Sequence, residues 1–90
     1  MKINSNEALI LLALREMDKP RWAQTISRQV ARTHGKSLTV ASCHSALRSM
    51  GARGLVTTRD VRDEKGSRRI EFSATAKAGR LLTDLKEALA

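Results

Sequence analysis

Apolar positions in the first half of the chain recur at helical spacing, whereas those after Gly54 alternate as in a strand. Asn4-Ser5-Asn6-Glu7 offers capping side chains and an acidic first turn ahead of an apolar series from Ala8 to Met17, which predicts a first helix. Its residues Leu9, Ile10, Leu12, Ala13, Leu14 and Met17 wrap most of the circumference, the pattern of a helix buried on more than one side, and this hints at an interface with a second chain. Asp18-Lys19-Pro20-Arg21 breaks the pattern, with Pro20 suited to open the next helix because a first turn leaves its N–H groups unpaired anyway. A second helix runs to about His34, with Trp22, Ile26 and Val30 on one face, Arg28 and Arg32 on another, and Gly35 as a left-handed C-terminal cap.

A third helix spans about 39–52, capped by Ser37 or Thr39. At 100° per residue, Val40, Ala46, Leu47 and Met50 fall within about 60° of Cys43 and form the inward face. Ala41, His44, Ser45, Arg48 and Ala52 form the opposite face, with Ser42 and Ser49 at its edge, and Gly51 marks fraying or close packing. From about 55 to 73 the period falls to two: Leu55, Thr57, Arg59 and Val61 alternate with Val56, Thr58, Asp60 and Arg62. Asp63-Glu64-Lys65-Gly66 is then a polar turn, and Arg69 to Ser73 a returning strand with Ile70 and Phe72 on one side. Thr75 caps a last helix over about 75–89, where Ala78, Leu81, Leu82, Leu85 and Leu89 form the cleanest apolar stripe in the chain.

The order helix, helix, helix, strand, strand, helix is that of a winged helix-turn-helix: an α+β, mostly helical domain with a three-helix core, a β-hairpin wing and a C-terminal dimerisation helix. No internal repeat or linker interrupts it, so residues 1–90 read as one domain, whose small size favours association of chains. A net charge of +8 points to a polyanionic partner.

The segment from Leu38 to Val56, ending Ala46-Leu47-Arg48-Ser49-Met50-Gly51-Ala52-Arg53-Gly54-Leu55-Val56, resembles the recognition helix and first wing strand of PadR-like and MarR-like regulators. Phe72-Ser73-Ala74-Thr75-Ala76-Lys77-Ala78-Gly79-Arg80-Leu81-Leu82 is similar to the family's passage from wing to final helix, with Ala74 where leucine is usual and Gly79 one residue late. The resemblance implies a transcriptional regulator, a repressor acting as a homodimer on double-stranded DNA. The last helix is shorter than in long PadR proteins, which implies a smaller or different dimer interface.

The expected DNA contacts lie on the third helix (Thr39, Ala41, Ser42, His44, Ser45, Arg48), on the hairpin (Arg59, Arg62, Lys65, Arg68, Arg69) and on the second helix (Arg28, Arg32). Ala41 and Ser45 are small enough for close approach, while Arg48 reaches a base or a phosphate. The hairpin arginines crowd one loop, only partly balanced by Asp60, Asp63 and Glu64. The expected dimer contacts are Leu9, Ala78, Leu81, Leu82, Leu85 and Leu89. Two other partners would suit the same charge: an acidic protein docking on a winged-helix adaptor, or a structured RNA.

One Trp, one Phe and no Tyr argue against a single-strand binder that stacks bases on aromatic rings, and Trp22 reads as a core anchor between the first two helices. His34, Cys43 and His44 lack metal-ligand spacing, and neither a phosphate loop nor paired catalytic carboxylates occur, so no enzyme, metal or cofactor is expected. Lone Cys43 is a small core residue suited to a reducing compartment, and the longest apolar run, Ala8 to Leu14, falls short of the ~20 residues that span a bilayer. A cytoplasmic, nucleoid-associated protein is expected.

Overall fold

A computed structural model describes residues 3–17 and 21–89. It contains α1 (Ser5–Met17), α2 (Ala23–His34), α3 (Val40–Ala52), β1 (Val56–Arg62), β2 (Arg68–Ala74) and α4 (Ala76–Leu89), in the expected order. The expected helix-opening role of Pro20 lies outside the described residues.

The start of α1 is a reciprocal capping box. The Asn4 side chain accepts from the Glu7 backbone N–H at 2.8 Å, and the Glu7 carboxylate accepts from the Asn4 N–H at 3.0 Å. The Glu7 carboxylate also takes the Arg53 guanidinium from the end of α3, although Glu7 is only 5% exposed. Arg53 in turn offers its carbonyl to Lys77 Nζ at 3.0 Å, so one network ties together the start of α1, the end of α3 and the start of α4. Gly35 closes α2 at φ 65°, its N–H reaching the Ala31 carbonyl at 3.1 Å.

β1 and β2 form an antiparallel hairpin in the register Val56↔Ala74 through Thr58↔Phe72 to Arg62↔Arg68. Arg21 extends it by one residue: its N–H and C=O both pair with Phe72, at 3.0 and 2.8 Å. This bridge anchors the base of the wing to the start of α2. Beyond the buried residues Val56 and Phe72 the hairpin runs out of the core and exposes most of β1. Asp63 shapes the tip, its carboxylate accepting from the N–H groups of Lys65 and Ser67 at 2.9 and 2.8 Å.

The core gathers Ile10, Leu11 and Leu14 of α1, Ile26 and Val30 of α2, Cys43, Leu47 and Met50 of α3, Leu55, Phe72 and Leu82. Burying each large side chain contributes about 1.5–3 kcal/mol. The all-round apolarity of α1 finds its cover inside the chain, because α2, α3, α4 and β2 all pack on it. A second chain is not needed to explain that helix, contrary to the expectation from its pattern. Ala78 and Leu82 are likewise 0% and 4% exposed in the single chain, so they belong to the core and not to a free dimer face. Leu9, Leu81 and Leu85 stay half-buried, and the Leu89 side chain lies outside the described residues.

Candidate nucleic-acid interface

Thr39 fixes the start of α3: its Oγ1 accepts from the Ser42 N–H at 3.0 Å and its hydroxyl donates to Ser42 Oγ at 2.9 Å. Thr39 is therefore committed to the cap. After it, Ala41, Ser42, Ser45, Arg48 and Ser49 are exposed, giving α3 a face of small residues with one long cation. Two residues depart from the expected faces. The helical wheel turns Val40 inward, yet it is 46% exposed, because the first turn of α3 extends past the cover that begins at Cys43. The same wheel turns His44 outward, yet it is half-buried, its ring meeting Phe72 edge-on at 5.7 Å and 89°.

The contact of His44 with Phe72 marks where α3 meets the wing. Between them runs an open groove of about 730 Å³, floored by Leu47, Val56 and Phe72 and edged by Arg48, Asp60 and Arg68. A second groove, lined by Trp22, Gln24, Val40, His44, Arg68 and Arg69, continues toward the start of α2.

The hairpin cations are more constrained than their crowding suggests. Arg68 donates to Asp60 Oδ2 at 2.7 Å, Arg69 Nε lies 3.8 Å from Asp63, and Arg62 reaches the Gly66 carbonyl at 3.4 Å. Arg69 also lies over Trp22, 4.9 Å from the ring centroid. Trp22 is thus half-buried under the wing and is not the anchor between the first two helices that the sequence suggests. Among the described residues, only the Arg59 and Lys65 side chains of these five have no polar partner.

Glu71 joins Asp60, Asp63 and Glu64 against the five hairpin cations, leaving residues 56–74 with a net charge of only +1. Residues 21–55, which include α2 and α3, contain six Lys or Arg and no Asp or Glu. Six of the eight net charges therefore reside on residues 21–55, a feature that counting acids by segment would have revealed. Arg28, Arg32, Lys36 and Arg48 are all exposed there, and Arg32 is held by Gln29 at 2.6 Å. Arg53 is paired with Glu7.

Little else in the molecule suggests chemistry. Among the described residues no group of three or more His, Cys, Asp or Glu could hold a metal ion, and no helix is long and apolar enough to cross a membrane. Cys43 is fully buried, and burial pushes its thiol up to about 11, away from nucleophilic reactivity.

No protein-family model matches the sequence, and no curated protein matches it. Solved structures do. A transcriptional regulator from Thermoplasma acidophilum superposes at TM-score 0.80 with 25% identity, over 93% of this chain and 82% of that one. A PadR family transcription regulator from Clostridium difficile superposes at 0.79 with 21% identity, over 94% and 86%. RosR from H. salinarum gives 0.79 with 19% identity, over 98% and 74%. The chain thus has a winged helix-turn-helix fold, similar to the folds of PadR family regulators.

Proposed function

We propose that this chain binds double-stranded DNA as a transcriptional regulator, with α3 in the major groove and the wing on the backbone or in the minor groove. The observation that carries the reading is the acid-free stretch 21–55, whose exposed face on α3 combines small residues with Arg48. Small side chains let a helix approach base edges, while the surrounding cations neutralise phosphates. The TM-scores against several transcriptional regulators support the same reading.

Arg28, Arg32 and Lys36 then supply backbone contacts, Arg48 a base or backbone contact, and Arg59 and Lys65 the wing contacts that need no intramolecular partner displaced. Two chains associate through a face carrying Leu9, Leu81 and Leu85 and present two α3 helices to half-sites one helical turn, about 34 Å, apart. With so small a core there is little room for an effector, and the chain acts as a repressor without one.

The test is a duplex titration followed by fluorescence anisotropy over a range of salt. Replacing Arg28 and Arg32 by alanine lowers the log–log salt slope by about 0.9 for each phosphate that is no longer neutralised, whereas Arg48→Ala changes sequence preference if it reads a base. Variants that bind as the wild type does, or equal competition by a structured RNA, contradict the reading. A monomer in sedimentation at tens of micromolar, with and without DNA, contradicts the dimer.

A further inference from the structure

Val40 is the one exposed large apolar side chain among the described residues, and it stands on the first residue of α3. Single exposed apolar residues are ordinary on protein surfaces, but the position of this one is not. The N-terminal turn of a helix laid in the major groove is the part that approaches base edges. Its neighbours Ala41 and Ser42 are exposed and small, so neither of them holds a duplex away from it. Val40 lines the adjoining groove together with Trp22, Ile70 and Phe72, and Gln24, Arg68 and Arg69 offer amide and cationic groups beside that apolar surface.

The major-groove edge of thymine presents one apolar feature, the 5-methyl group, and branched or methyl-bearing side chains are its usual contacts. From this geometry we infer that Val40 is a specificity-determining residue that packs on a thymine methyl in each half-site. The inference rests on the DNA-binding reading above. Val40 makes no hydrogen bond through its side chain, so it reads the methyl by exclusion of water alone, and the discrimination it supplies is that of burying one methyl group, about fourfold in affinity.

Duplexes enriched from a random pool by the wild-type chain provide the probe. Each thymine of the enriched sequence is replaced in turn by uracil, which removes the methyl and leaves every hydrogen-bonding group in place. The wild type loses about fourfold at one thymine per half-site, and Val40→Ala binds the thymine and uracil duplexes equally at that position. Val40→Thr, which keeps the branch and one methyl, retains part of the preference. Circular dichroism confirms that both variants are folded, as an exposed position permits. A flat uracil scan with an enriched duplex, or the same loss in Val40→Ala, overturns the assignment alone. Failure to enrich any duplex overturns the DNA-binding reading and the assignment with it.

Discussion

Arg68 donates a hydrogen bond to Asp60 at 2.7 Å across the wing, although both side chains are largely exposed. That bond and the aspartate's charge hold the guanidinium above even its usual high range. A surface pair of this kind contributes little to folding, but it occupies a cation that a phosphate would otherwise take. Asp60→Asn is therefore expected to raise duplex affinity about threefold near 0.1 M salt, with the gain shrinking as salt is added. Asp84→Asn, an exposed acid on α4, gives the baseline for removing a negative charge elsewhere. An Asp60 effect no larger than the Asp84 effect contradicts the competition.

The pair of Glu7 with Arg53 has the opposite character, because the carboxylate is buried and also serves the capping box. Glu7→Ala loses a helix cap and the buried carboxylate that pairs with the Arg53 guanidinium, which is expected to cost about 2 kcal/mol, or roughly 10 °C in Tm for a domain of this size. Glu16→Ala, which removes the exposed partner of His34, changes stability by less than about 0.5 kcal/mol. Thermal unfolding followed by circular dichroism separates the two. Equal effects would mean that the Glu7 network does not join α1 to α3.

Cys43 gives the chain a defined alkaline response. Its folded pKa of about 11 lies above the ordinary value of 9.0, because burial disfavours the thiolate. Below pH 9 the thiol is neutral in both states and its contribution is fully present. Above that, the unfolded chain ionises first and stability falls until the folded thiol ionises too, by at most about 1.4 kcal/mol per pH unit. Urea midpoints measured from about pH 8 to 11 should therefore decline less for Cys43→Ala than for the wild type. Parallel declines contradict the burial.

Gly79 lies in the first turns of α4 with nothing within 4 Å of where a Cβ would stand, so Gly79→Ala is expected to stabilise the fold by about 0.5–1 kcal/mol. A Cβ at Gly51 in α3 would meet only ordinary contacts with Val56, at 3.8 and 3.9 Å, so close packing does not explain the glycine, and alanine is tolerated there. Gly35→Ala should do the reverse and destabilise by about 1 kcal/mol, because its φ of 65° is strained for any residue with a Cβ. A stability gain at Gly35 would mean that α2 ends otherwise.

The element order was legible because each segment has one dominant period, and the caps at Asn4, Thr39 and Thr75 and the turn at Gly35 announce their own geometry. What escaped sequence reasoning depends on long-range packing. A helical wheel places Val40 correctly in angle but cannot tell that the first turn of α3 lies past its cover. The Arg21 bridge to Phe72 is a single residue and leaves no periodic signal. Likewise, the breadth of apolar surface on α1 says that it is surrounded, not by which chain, and here α2, α3, α4 and β2 suffice. For the candidate interface, the residues of α3 were legible as an exposed face, whereas the ion pairs that tether Arg68 and Arg69 emerge only from the strand register.

The central claim is that α3 reads a specific duplex. Its most direct test is the affinity of the chain, at about 0.15 M salt, for a duplex enriched from a random pool against a scrambled duplex of the same composition. The enriched duplex should bind on the order of a thousandfold more tightly, the least that specific recognition usually gives over non-specific binding. Equal affinity for the two would show that the positive charge attracts polyanions without reading them, and would contradict the proposed regulator.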